Sequence, residues 1–151
     1  MVADSICIER LVEERKCWRL CHPKNFDARP EIIKDSLDIF KWNCTIPGKN
    51  LLEEKKIKLI LHFPEDYPYS LPKVIFEKPI FHPNVSHKNV FCMDDYKNIN
   101  KELNQIYIEK ILLYIQQTLL KPNLEDVVNT DAYYSYSKDK ENYEEALRNS
   151  C

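Results

Sequence analysis

Residues 106–120 read IYIEKILLYIQQTLL. Ile108, Ile111, Leu112, Ile115 and Leu119 recur at helical intervals, with Leu113 and Leu120 beside them. The run is too apolar for a one-sided surface helix. It therefore predicts a central helix, buried over much of its circumference. Pro122 ends it, because proline has no amide hydrogen and crowds the preceding turn.

The residues ahead of this helix read as strands. Ile57, Leu59, Leu61 and Phe63 alternate at period two and share one face. Residues 74–76 form a shorter apolar strand. Leu37, Ile39 and Lys41 alternate with Asp38 and Phe40, and residues 42–46 continue that run. Pro47-Gly48-Lys49-Asn50 is a turn. Short links between successive strands predict an antiparallel meander. An N-terminal helix is expected over 4–21, capped by Asp4 or Ser5, with Cys7, Leu11, Trp18 and Cys21 as its apolar stripe. Between them lie Arg10, Arg15, Lys16 and Arg19, mixed with Glu9, Glu13 and Glu14, as on a solvated face. His22-Pro23 closes this helix. Two further helices are expected over 130–136 and 138–148. The class is α+β.

At 151 residues the chain suits one domain, 1–151. A net charge of −2 demands no nucleic acid as partner. No apolar run approaches membrane-spanning length, and MVADSICIER lacks the pattern of a signal peptide. The six cysteines are irregularly spaced, so reduced thiols are expected, in an intracellular reducing compartment, nuclear and cytoplasmic. Gly48 is the only glycine, which excludes glycine-rich phosphate cradles and dinucleotide fingerprints.

Residues 78–104 hold no sustained period, and so long an irregular segment is usually functional. Within it, residues 82–92 read HPNVSHKNVFC. A free cysteine is ordinarily a small core residue, and that reading suits the other five. Cys92 differs because Lys88, Asn89, Asp94 and Asp95 around it are hard to bury. An accessible thiol suits a nucleophile. Its acidic flank does not favour thiolate, which argues against a protease-like cysteine. Zinc is a poor alternative: neither His82, His87 and Cys92 nor Cys17, Cys21 and His22 contain a paired knuckle, so no metal is expected.

These residues resemble the ubiquitin-conjugating enzyme family over nearly the whole chain. His82-Pro83-Asn84 is similar to its HPN motif, and Cys92 follows Asn84 by eight positions, as the family's active-site cysteine does. Tyr67-Pro68, Leu71-Pro72-Lys73-Val74, Pro122-Asn123 and Asp126 match further family segments in order. The SUMO-conjugating branch is the most similar: Trp42-Asn43-Cys44-Thr45-Ile46-Pro47-Gly48-Lys49 resembles its W-x-C-x-I-P-G-K strand end, and Glu14-Arg15-Lys16, Trp18-Arg19 and His22-Pro23 its first helix. The resemblance implies a four-stranded antiparallel meander with an N-terminal helix, a central helix and two C-terminal helices.

It also implies a function. SUMO would be accepted on Cys92 as a thioester from an activating enzyme and passed to a substrate lysine as an isopeptide bond. The alternatives are a carrier for ubiquitin or another ubiquitin-like modifier, or a non-catalytic scaffold of the same fold. By the same resemblance Asp126 would orient the incoming lysine and Tyr133 would wall its channel. Asn84 would steady either the loop or the oxyanion. Lys73, Lys88 and Ser86 would meet the acceptor motif, and Arg15, Lys16, Arg19 and His22 would dock the modifier. His82 and Pro83 support the motif. Ligases and substrate proteins are the remaining partners. No cofactor is implied, since ATP is used by the activating enzyme.

Several positions depart from the pattern. Asn89 stands where the family has glycine, and since asparagine tolerates a left-handed backbone the turn is expected to survive. Ser86 replaces a tyrosine and Lys88 a serine. Met93-Asp94-Asp95-Tyr96 replaces an apolar stretch, and Glu102-Leu103-Asn104 stands where the family has Trp-x-Pro, in a loop that binds partners.

Overall fold

The computed structural model describes residues 2–99 and 107–151. Helix α1 (Val2–Leu20) leads into five antiparallel strands in sequential order: β1 (Asp27–Ile33), β2 (Ser36–Pro47), β3 (Lys56–His62), β4 (Lys73–Phe76) and β5 (Val90–Phe91). Then come α2 (Asp94–Ile99), the central α3 (Ile108–Leu120), α4 (Thr130–Lys138) and α5 (Lys140–Ser150). The α+β meander and its flanking helices are as the sequence implies, with one strand more. Two elements fall inside the segment expected to be irregular: β5 pairs Val90 and Phe91 with Ile75 and Val74, and α2 follows Cys92. Both are too short for any periodicity to show in a sequence. Glu102-Leu103-Asn104 lies outside the described residues.

The period-two pattern sorts β3 as expected. Ile57, Leu59, Leu61 and the following Phe63 are buried, whereas Lys56, Lys58 and His62 are exposed. In β2 the buried set is Trp42, Cys44 and Ile46. Leu37, at the opposite parity near the hairpin tip, is exposed, and a bulge between Pro30 and Glu31 shifts the register there. Helix α3 lies across the apolar face of the sheet with Ile108, Ile111, Leu112, Ile115 and Leu119 buried. Its Gln116 donates to Pro47 O at 2.9 Å, tying the helix to the end of β2.

Helix α1 begins at Val2, so Asp4 and Ser5 lie inside it rather than capping it; helix ends fray, and local composition marks them only to within a residue or two. Cys7, Leu11 and Trp18 are buried, but Cys21 lies beyond the helix and is exposed. Glu14 occupies the inward position between Leu11 and Trp18 instead of the solvated face. Its Oε1 accepts the Ile108 N–H at 2.7 Å, and its Oε2 accepts both the Tyr67 hydroxyl and Arg10 Nε. One carboxylate thereby joins α1, the loop before β4 and the start of α3. Burial raises its pKa, while Tyr67, the Ile108 N–H and Arg10 act in the opposite sense.

Candidate active site

The segment 82–92 is shaped first by its own backbone. Val85 N–H donates to His82 O (3.1 Å), Asn89 N–H to Ser86 O (2.9 Å) and Ser86 N–H to Val90 O (2.9 Å). The second turn needs a left-handed residue, and Asn89 supplies it at φ 66° without glycine. The Ser86 hydroxyl accepts the N–H groups of Lys88 and Val90, each at 3.2 Å, so it shapes this turn. His87 and Lys88 are exposed at the tip. The Cys92 N–H returns to Asn84 O at 2.9 Å, which sets the thiol beside the HPN residues.

Each of those three residues holds a different element. His82 is fully buried. Its Nδ1 accepts the Asn84 N–H (3.0 Å), so the proton sits on Nε2, which donates to Thr118 O of α3 (2.8 Å). Burial lowers its pKa to about 4, against the opposing pull of the Thr118 and Leu119 carbonyls, and the ring is neutral at pH 7. Pro83 O accepts the N–H groups of Val128 (2.9 Å) and Asn129 (3.1 Å). Asn129 in turn caps α4 by accepting the Ala132 N–H, which hangs that helix, with half-buried Tyr133 in its first turn, from the motif. Asn84, only 2% exposed, donates from Nδ2 to Asn123 O (2.7 Å) and Asp126 O (3.0 Å) and accepts the Asn123 N–H at Oδ1 (2.9 Å). An amide has two hydrogens, and both are engaged by these carbonyls. In this geometry the side chain staples the thiol segment to the loop carrying Asp126.

Cys92 is half-buried. Burial raises its pKa first; the charges of Asp94 and Asp126 add to this, and the Asp94 backbone N–H opposes it. Asp126 is itself held by Asn123 Nδ2 at 3.1 Å. Lys73 reaches the same neighbourhood through strand register. Val74 pairs with Phe91, the residue before Cys92, and Lys73 is the next residue along β4, with exposed His62 opposite it on β3.

Sequence reasoning passed over one residue near the thiol and misplaced another on α1. Tyr114 of α3 packs edge-on against Phe91 at 6.1 Å and Tyr96 at 5.0 Å. A tyrosine in an Ile/Leu-rich helix was the available signal, because its hydroxyl requires a partner. Glu14 was the other, legible from its place on the stripe of Cys7, Leu11 and Trp18.

The basic residues of α1 lie apart from this constellation. Lys16, Arg19 and His22 are exposed and Arg15 half-exposed, with exposed Ile8 and Val12 on the same helical face as Arg15 and Arg19. His22 stacks on Trp18 at 5.0 Å, and its Nδ1 lies 2.8 Å from Trp18 O near the helix end. Glu14 is turned inward and paired with Arg10, whereas Glu9 and Glu13 of the same helix remain exposed.

Among the described residues no group of three or more His, Cys, Asp or Glu is placed to hold a metal ion. No described helix is long and apolar enough to cross a membrane.

Comparison with known proteins bears on the whole constellation. The profile of the ubiquitin-conjugating enzyme family matches residues 10–151. The chain is 36% identical to the SUMO-conjugating enzyme UBC9 of Caenorhabditis elegans over 148 residues, covering 96% of this chain and 89% of the relative. It is 37% identical to the SUMO-conjugating enzyme SCE1 of Arabidopsis thaliana over 150 residues, covering 97% and 94%. Against the Sumo-conjugating enzyme ubc9 of Dictyostelium discoideum it is 38% identical over 145 residues, covering 92% and 89%. With its HPN segment, its carrier-type cysteine and its meander in family order, the chain belongs to the ubiquitin-conjugating enzyme family.

Proposed function

We propose that this protein is a SUMO-conjugating enzyme that carries the modifier as a thioester on Cys92 and transfers it to substrate lysines. The observation that carries the reading is the half-buried Cys92 thiol at the end of β5, bonded through its N–H to Asn84 O beside Asp126. The three relatives, all named as SUMO-conjugating enzymes, support the choice of modifier.

In the first step the Cys92 sulfur attacks the thioester carbonyl presented by the activating enzyme. A new carbon–sulfur bond forms, and the activating enzyme's thiol leaves. A raised pKa keeps most of the sulfur protonated at neutral pH, but the thiolate that does form is the stronger nucleophile for it. In the second step a lysine amine attacks, the tetrahedral oxyanion collapses, and Cys92 thiolate departs. A free lysine has a pKa near ~10.4 and must lose a proton first. Desolvation against the 122–133 wall favours the neutral amine. The Asp126 carboxylate orients it but by charge alone would hold it protonated, so burial of the amine must outweigh that pairing. Asn84 serves as the staple that keeps Asp126 and the thiol in register, Tyr133 walls the approach, and Lys73 with Lys88 attracts an acidic acceptor residue. Ser86 acts by holding the turn that presents Lys88. His82 and Pro83 fix the frame. The face of Arg15, Lys16, Arg19 and His22, extended by Ile8 and Val12, docks the modifier non-covalently. A thiol carrier of this kind works in a reducing compartment and uses no cofactor of its own.

Incubation with ATP and matched pairs of activating enzyme and modifier, followed by gels without reductant, tests this reading. The expected product is a reductant-sensitive adduct with SUMO that Cys92→Ala abolishes. An adduct with ubiquitin alone redirects the assignment, and no adduct with any pair assigns the fold to a scaffold.

A further inference from the structure

Helix α1 ends in two thiols that the conjugation chemistry does not use. Of the six cysteines only Cys17 and Cys21 are exposed, so the core role expected for them does not hold. They stand one helical turn apart. The Cys21 N–H donates to Cys17 O at 2.9 Å, so that turn stays closed although α1 itself ends at Leu20. Both residues line one cavity of about 320 Å³ between α1 and the start of α3. Helical side chains point toward the N-terminus, which directs Cys21 at Cys17 and Cys17 at Glu13. Accordingly Cys17 Sγ lies 4.0 Å from Glu13 Oε1.

Spacing decides what such a pair can hold. Residues four apart on a helix have Cβ atoms about 5–6 Å apart. A disulfide needs about 3.5–4.5 Å, so this pair cannot close one without unwinding the turn. One metal ion bridging two sulfurs, each about 2.3 Å away, spans up to about 4.6 Å. The turn accommodates that as it stands, and two ligands at this helical spacing share one face.

The donor set decides the ion. Among the described residues no third His, Cys, Asp or Glu completes a group around the pair. His22, the next residue, stacks on Trp18 with its Nδ1 2.8 Å from Trp18 O. Two sulfurs without further ligands do not make a tetrahedral zinc site. They suit a soft cation of low coordination number, and thiolate ligands select Cu(I).

We propose that Cys17 and Cys21 form a two-coordinate site for Cu(I) at the end of α1. Each thiol releases its proton to solvent as its sulfur–copper bond forms, with no change of oxidation state. The site goes from neutral dithiol plus cation to a complex of single negative charge. Of the charged groups lining the cavity, Arg10 favours that charge, and Glu13, Glu14 and Glu109 oppose it. A bound ion clips together the turn that carries Arg19. The site is independent of the carrier reading of Cys92.

The test is an anaerobic titration of the reduced full chain with Cu(I) against a competing chelator, bathocuproine disulfonate. Wild type should withdraw one Cu(I) per chain, with X-ray absorption showing two sulfur neighbours and no nitrogen or oxygen. Losing a hydrogen-bond partner of a metal ligand typically costs 10–100-fold in affinity, so Cys17→Ser and Cys21→Ser should each cost about a hundredfold or more. Both positions are exposed, so folding is not at stake in these variants. Amide exchange across 18–21 should slow on Cu(I) addition in wild type and not in either variant. Failure of wild type to withdraw the ion overturns the proposal. So does wild-type affinity in the two variants, with the ion lost in Cys92→Ser or Cys151→Ser instead. Nitrogen or oxygen neighbours at the metal overturn the two-coordinate set, and unchanged exchange across 18–21 overturns the clip.

Discussion

Asn84 makes three side-chain hydrogen bonds within one buried volume, and that is the scale at which the site is most exposed to change. Asn84→Ala leaves Asn123 N–H, Asn123 O and Asp126 O without this partner. Each buried unpaired group costs about 1–3 kcal/mol, so urea denaturation should show a loss of at least about 2 kcal/mol. Asn84→Asp should not rescue it, because an ionised carboxylate cannot donate to the two carbonyls. His82 carries a pH dependence. Its folded pKa is about 4 against 6.5 unfolded, so the unfolded chain takes up the proton first. Its contribution is fully present above pH 6.5 and is lost as pH falls toward 4, by about 3 kcal/mol in all. Glu14, whose pKa is raised, works in the opposite sense on acidification, so the comparison must be between wild type and His82→Gln. The difference in urea stability between the two should shrink over that window; a constant difference would show that the ring is not held neutral. Cys92 belongs at this scale too. With its pKa raised, its reactivity toward an activated ester should climb through pH 8 and beyond, past the usual thiol range near ~8.5.

Elements meet through few groups, and Glu14 is the clearest of them. It joins α1, the Tyr67 loop and the first N–H of α3, the helix that carries Tyr114 toward the thiol. Glu14→Ala leaves Arg10, the Tyr67 hydroxyl and the Ile108 N–H without this acceptor, a loss of about 3 kcal/mol. Glu14→Gln retains an acceptor for Ile108 and should cost no more than half as much in the same urea titration. The turn after β2 is decided by sterics. Gly48 N–H donates to Lys55 O, and a Cβ at Gly48 would lie 1.7 Å from Leu52 O, a backbone atom that cannot swing aside. Gly48→Ala should lower stability by about 2 kcal/mol or more, read as a drop in Tm, although no part of the thiol site touches it. Helix α4 depends on Pro83 O in the same way that α3 depends on Glu14: the element's start is anchored by a residue distant in sequence.

Over the whole molecule the basic face of α1 and the thiol segment are separate surfaces on one frame. Charge reversal of Arg15 and Arg19 together should weaken non-covalent modifier binding by about tenfold or more at low salt, with the difference narrowing as salt rises; titration by calorimetry at two ionic strengths checks it. Much of the frame was legible in the sequence. Ile57 to Phe63 and Ile108 to Leu119 carry their periods openly, because a face buried along its whole length must repeat with the backbone. Cys92 stood out because polar neighbours made a buried thiol expensive, and Asn89 could be expected to replace glycine in the turn because its backbone preference is local. These were properties of a residue and its immediate neighbours, and the order of residues along the chain was enough to determine them. Tertiary structure alone decided that Glu14 turns inward, that both hydrogens of the Asn84 amide are taken by the 123–126 carbonyls, that β5 forms at all, and that Tyr114 stands between Phe91 and Tyr96. Each of those depends on a partner 15 to 94 positions away, and a hydrogen bond or ring contact over such a span exists only after the sheet and α3 have packed.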